Sequence, residues 1–181
     1  WSGEEAKSYA SGDGTEQNPY IIKTGEQLFK LIKDSDTKGK YYRLSADIRL
    51  NSTEDEYWYE KDGNSAWAVN WISSFEGIFD GNYHTVTGLY MKLSDGQNVS
   101  CALIPYACNG AIIKNVGIVN SVLELGDSNT AASVVGVVKK GKVTVSECFG
   151  TADVILNSGV SGGIIGSVPE DANVDIKNCS F

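Results

Sequence analysis

Short aliphatic segments return about every 30 residues in the C-terminal half of the chain, and this periodicity restricts the fold more than any other feature. Four segments share one pattern: Val86-Thr87-Gly88-Leu89, Ile113-Lys114-Asn115-Val116, Val145-Ser146-Glu147-Cys148 and Ile176-Lys177-Asn178-Cys179. They begin 27, 32 and 31 residues apart, and His84, Ala111, Val143 and Val174 fill an inward position just upstream. A second set, Leu103-Ile104, Val134-Val135 and Ile164-Ile165, recurs at spacings of 31 and 30 residues. A third pairs Val122-Leu123-Glu124-Leu125 with Val154-Ile155-Leu156. Each period therefore carries three short strand candidates separated by Gly, Asn and Ser turns. Such a unit cannot bury its apolar side alone, whereas copies stacked in parallel bury a continuous column. The expected class is mainly β, a parallel stack and not an antiparallel sandwich.

The N-terminal part lacks the repeat. Pro19 to Lys23 reads as a strand, and Thr24 with Gln27 forms a capping box ahead of the stripe Leu28, Leu31, Ile32. This helix should end after the polar run 33–38 and before Gly39. Tyr41 to Leu44 and Asp47 to Leu50 are further strand candidates. The 181 residues thus suit one module: an N-terminal cap over 1–50, an aromatic loop over 51–74 and stacked turns over 75–181. The abrupt first and last residues suggest a segment of a larger, multi-modular protein, with neighbouring modules covalently attached and any export signal outside it.

A net charge of −8 argues against a nucleic-acid partner, which needs clustered cations to displace counterions. Apolar runs such as Val134 to Val138 fall far short of the roughly 20 residues that a bilayer-spanning helix needs, so no membrane insertion is expected. Four cysteines permit three pairings. Cys101 and Cys108 could close a small loop. Cys148 and Cys179 should be ladder neighbours whose parallel side-chain vectors suit free thiols better than a disulfide.

The chain resembles bacterial surface proteins that carry GLUG-type repeats. The resemblance rests on Gly12-Asp13-Gly14-Thr15, Asn18-Pro19-Tyr20, Glu26-Gln27-Leu28, Tyr41 to Leu50, the stretch from Phe75 to Leu89, and Gly163-Ile164-Ile165-Gly166. Phe75-Glu76-Gly77-Ile78-Phe79-Asp80-Gly81-Asn82-Tyr83-His84-Thr85 is its most specific element. Pro105 departs from the pattern, standing after Leu103-Ile104 where glycine is usual, and reads as a local bulge or edge. The resemblance implies a right-handed parallel β-helix or solenoid with an N-terminal capping helix and strands. It also implies an extracellular or cell-surface bacterial protein used in adhesion or polymer binding, with no catalytic residues carried over. Trp71 occupies a place where related sequences usually hold tryptophan.

The aromatic segment is the leading candidate site. Tyr57, Trp58, Tyr59, Trp67 and Trp71 fall within fifteen residues of otherwise polar chain. Exposed indole and phenol rings offer flat faces to sugar C–H groups while their edges tolerate water. Alternation would send Trp58 away from Tyr57 and Tyr59.

Glu54, Asp55, Glu56, Glu60 and Asp62 lie beside these rings, but their spacing defines no cleft for a glycosidase pair. With Asp13 or Asp80 they could supply oxygens to calcium, although no EF-hand order organises them, and no other cofactor is expected. The only histidine, His84, reads as structural. Gly159-Val160-Ser161-Gly162-Gly163 matches a nucleophile elbow by letter only, because a strand follows it and Ser161 aligns with Ala131.

These observations favour a non-catalytic carbohydrate-binding or adhesion module whose partner is a polysaccharide or surface glycan. A structural spacer or protein-binding adhesin module is the first alternative, and a β-helical polysaccharide lyase or hydrolase the second. Ring exposure discriminates the first two: a buried Trp58 and Trp67 would favour the spacer.

Overall fold

The computed structural model describes residues 1–61, 74–93, 99–126, 129–156 and 158–181. Among them the chain runs β1 (Tyr20–Ile22), α1 (Gly25–Lys33), β2 (Tyr41–Leu44), β3 (Ile48–Arg49), a 3-10 turn (Trp58–Glu60), β4 (Ile78–Thr87), β5 (Tyr90–Lys92), β6 (Ser100–Cys101) and β7 (Ile104–Cys108). It continues as β8 (Ile112–Leu125), β9 (Asn129–Ala131), β10 (Val135–Ser146), β11 (Phe149–Leu156), β12 (Gly159–Ser161), β13 (Ile165–Ser167) and β14 (Ala172–Lys177). The fold is mainly β, and these strands pair in parallel in an eleven-stranded and a three-stranded sheet. No described helix is long and apolar enough to cross a membrane.

Register follows the repeat where the repeat is regular. Ile113 pairs with Val145 and Val145 with Ile176, while Val135 pairs with both Ile104 and Ile165. Ser161 lies beside Ala131 in a strand that no helix follows. Pro105 sits inside regular pairing between Ile104–Val135 and Tyr106–Val137; the irregularity of this ladder falls at Val138 to Lys140 instead.

The first repeat equivalence is shifted. Ile113 pairs with Phe79, whereas Val86 pairs with Ile118, because β4 carries a register break between Asp80 and His84. His84 consequently lies beside Val116, half-buried, with Nδ1 3.2 Å from Asp47 Oδ1, and not beneath Ala111. In the third set the offset is one residue, with Val154 opposite Leu123 and Asp153 opposite Val122.

The turn residues explain why asparagine recurs. Asn82, Asn115, Glu147 and Asn178 have φ of 50°, 56°, 53° and 51°, the left-handed region that asparagine tolerates better than most side chains. The break in β4 is pinned by Asp80. Its carboxylate accepts from Asn115 Nδ2 at 2.9 Å and from the Asn82 N–H at 2.9 Å, and it lies 3.2 Å from Arg43 Nη2. Gly81 follows because a Cβ there would stand 2.3 Å from the Asn115 carbonyl oxygen.

The N-terminal strands are part of the same ladder. Tyr42 pairs with Phe79 and Ile48 with Val86, so β2 and β3 extend the main sheet although their sequence shows no repeat. Thr24 caps α1 as expected, its Oγ1 accepting from the Gln27 N–H, but the helix stops at Lys33. Leu28, Leu31 and Ile32 are buried in one core cluster with Ile22 and Tyr42, at the β1 end of the sheet. This core continues through Phe79, Ile113 and Val145.

All four cysteines are free thiols, so the small Cys101–Cys108 loop is not closed. Cys108 Sγ instead donates to Glu76 Oε1 at 3.3 Å. Burial pushes the Cys101 and Cys148 thiols up to about 12, and burial with the Glu76 carboxylate also raises Cys108. Since the thiolate is the reactive form, the half-buried Cys179 should be the one thiol per folded chain that reacts readily with DTNB near pH 8. Denaturant should release the other three, and a native count above one would contradict this packing.

Candidate functional site

The candidate site forms where β5, β8 and β11 lie side by side. Tyr90 pairs with Val122, Lys92 with Glu124, and Glu124 with Ile155. Alternation buries Met91 and Leu123 in the core and turns Lys92, Glu124 and Ile155 outward. The 3-10 turn settles against this outer surface.

Trp58 is its anchor. Only 6% exposed, it packs on Tyr90 and Val122, with its ring centroid 6.1 Å from Tyr90 and 6.0 Å from Tyr59, both edge-on. The expectation of an exposed Trp58 is therefore corrected: the indole gains more by covering Val122 and Tyr90 than by facing water. Tyr57 and Tyr59 do turn away from it, and Tyr57 is 57% exposed. Trp67 and Trp71 lie outside the described residues.

Three tyrosines result in a strip. Tyr57 and Tyr59 have centroids 6.5 Å apart, and Tyr59 and Tyr90 lie 6.2 Å apart at a 41° tilt. The last two border an open groove of about 490 Å³, completed by Glu60, Lys92, Glu124 and Ile155. Lys92 Nζ donates to Glu124 Oε1 at 2.8 Å, and the Tyr90 hydroxyl reaches Glu124 Oε2 at 3.5 Å. The hydrogen bond to Glu124 and its charge raise the Lys92 pKa, keeping the ammonium protonated. Partial burial, followed by nearby carboxylates, raises Tyr59 and Tyr90, keeping both phenols neutral donors. The groove thus joins two aromatic faces to fixed donors and acceptors, a combination suited to a flat, hydroxyl-bearing ligand.

Other acids are committed elsewhere. Glu54 pairs with Arg49, Asp55 with Lys61, and Asp13 accepts from Thr15. Among the described residues no group of three or more His, Cys, Asp or Glu side chains is arranged to hold a metal ion.

Tyr90, Lys92 and Glu124 were not expected at the site. A signal for them exists: Lys92 and Glu124 are 32 residues apart, one repeat length, as are Tyr90 and Val122.

No family model matches the chain. A protein named halomucin, from Haloquadratum walsbyi, is 27% identical over 175 residues, which is 93% of this chain and 2% of that protein. A protein of Evansella cellulosilytica, named as a Gly-rich membrane protein, is 28% identical over 97 residues, 52% of this chain and 10% of its own length. The chain therefore spans a small part of the curated relatives it matches. Among solved structures, a Bacteroides ovatus protein named for immunoglobulin A1 protease activity superposes with a TM-score of 0.63 at 24% identity, over 95% of this chain and 50% of that one. What this chain shares with the Bacteroides ovatus structure is its fold.

Proposed function

We propose that the chain is a non-catalytic glycan-binding or adhesion module of an exported, surface-located protein. Its strands would wind as a right-handed parallel β-solenoid of the GLUG-repeat kind, and sugar rings would stack on Tyr57, Tyr59 and Tyr90. The observation that carries the reading is the groove in which Tyr59 and Tyr90 flank the Lys92–Glu124 pair. The in-register parallel ladders support the solenoid, and relatives named halomucin and Gly-rich membrane protein support a surface setting.

Affinity gels containing cellulose, xylan, mannan, glucan or mucin test it. The unmodified chain should be retarded by at least one polymer. Tyr59→Ala should weaken that retention about tenfold, equivalent to roughly 1.4 kcal/mol, without a change in melting temperature. Retention that Tyr59→Ala leaves untouched would sink the groove. The spacer reading draws on Trp58, whose burial makes the turn partly a packed lid; it requires free migration on every polymer.

A further inference from the structure

A second exposed aromatic surface lies away from the Tyr59 groove. Tyr83 is 79% exposed and has φ of +64°, the left-handed region that β-carbon-bearing residues other than asparagine and aspartate rarely adopt. Neither burial nor backbone preference accounts for a tyrosine there. Asparagine or glycine would serve the turn better, and a residue that breaks a local rule without structural gain marks a functional position.

Tyr83 borders a depression of about 210 Å³ with Phe149, Asn115, Glu147, Asn178 and Ser180. Phe149, 42% exposed, lies over Gly117, where a Cβ would stand 2.2 Å from its Cζ; the glycine lets the ring lie flat on the sheet. The amide nitrogens here are already engaged. Asn115 Nδ2 donates to Asp80 and Asn178 Nδ2 donates to Glu147 Oε1 at 2.5 Å. What the depression presents is two aromatic rings, two amide oxygens and one carboxylate, with no lysine or arginine in its lining.

We infer that the Tyr83–Phe149 depression is a second binding site, for one unit of an uncharged glycan chain. Acceptor oxygens beside aromatic faces match hydroxyl donors around a C–H face, and Glu147 repels uronate or sulfate groups. At about 210 Å³ the site is smaller than the ~300–1,000 Å³ pockets that enclose a whole small ligand, so it seats a ring of a longer chain. It does not rest on the Tyr59 groove. Gly117 and Glu124 are seven residues apart on the bent strand β8, hence at most about 23 Å apart at ~3.3 Å per residue. Were both sites to bind, one polymer could engage them together and gain avidity.

The test uses the full chain, uniformly labelled with nitrogen-15, titrated with cello-, manno-, laminari- and chitohexaose, and with hyaluronan and polygalacturonate as anionic counterparts. At least one uncharged hexasaccharide should shift the amide signals of Tyr83, Gly117 and Phe149, and the anionic chains should not. Tyr83→Asn should weaken that binding at least tenfold while the melting temperature stays equal or rises; Tyr83→Phe should retain most of it. Shifts confined to the strands around Tyr90 and Glu124 would overturn this site and leave the first standing. A Tyr83→Asn chain that melts lower, or binds undiminished, would also overturn it.

Discussion

Ile113→Ala should destabilise the chain by about 3 kcal/mol, within the ~2–5 kcal/mol seen for truncating fully buried aliphatic side chains. Ile113 is buried on β8 between Phe79 of one neighbouring strand and Val145 of the other, so its removal opens a void lined on both sides by packed neighbours. Ile176 belongs to the same row but is 53% exposed, because β14 pairs on one side only. Ile176→Ala should therefore cost under about 1 kcal/mol, like other substitutions at exposed positions. Urea unfolding of the two variants measures the contrast directly. Equal losses at the two positions would mean that the stacked row is not the source of stability.

Asp80→Ala should cost about 2–3 kcal/mol at neutral pH. Its ion partners Arg43 and Lys114 are substantially exposed, and such pairs contribute about 1 kcal/mol or less. The larger loss comes from the buried carboxylate's hydrogen bonds, since bonds to a charged group are worth roughly 1.5–3 kcal/mol. Without them the Asn115 amide loses its acceptor and the β4 break loses its pin.

The pH dependence follows from the same contacts. Burial alone would raise the Asp80 pKa, but the bonds from Asn115 and Asn82, with the charges of Lys114 and Arg43, hold it below the ordinary aspartate value. A depressed pKa in the folded state means stability that is present above the unfolded value, near 3.9, and lost as pH falls through the folded one. The gap between wild type and Asp80→Ala should thus be constant from pH 7 to about 5 and shrink below about 4. A gap that widened on acidification would show that the carboxylate does not act as a charged acceptor.

The repeat was legible in sequence because stacking is periodic. Parallel rows place equivalent residues side by side, so Ile113, Val145 and Ile176 could be matched from spacing alone, as could Ile104, Val135 and Ile165. Where a turn departs from the period, spacing misleads. The break between Asp80 and His84 moved Val86 opposite Ile118, and a text alignment cannot place an unpaired loop within a strand. The α1 cap was equally readable, being a contact between Thr24 and a residue three positions on.

The site was only half readable. An aromatic cluster announced Tyr57, Trp58 and Tyr59, and alternation separated the indole from the phenols. Which of them would be covered depended on what lay beneath, and nothing local to residues 57–60 names Tyr90 and Val122 as that surface. Tyr83 was hidden for the opposite reason: its exposure and left-handed backbone are properties of the turn and not of the residue type.

By itself, then, the sequence determined the strand content, the parallel stacking of the regular repeats and the capped helix. Each of these follows from short-range chemistry or from a period repeated along the chain. Tertiary structure alone decided the register of the first layer, the burial of Trp58 and the meeting of Tyr59 with Tyr90, Lys92 and Glu124. Those contacts join segments that share no period, so only the folded path of the backbone brings them together.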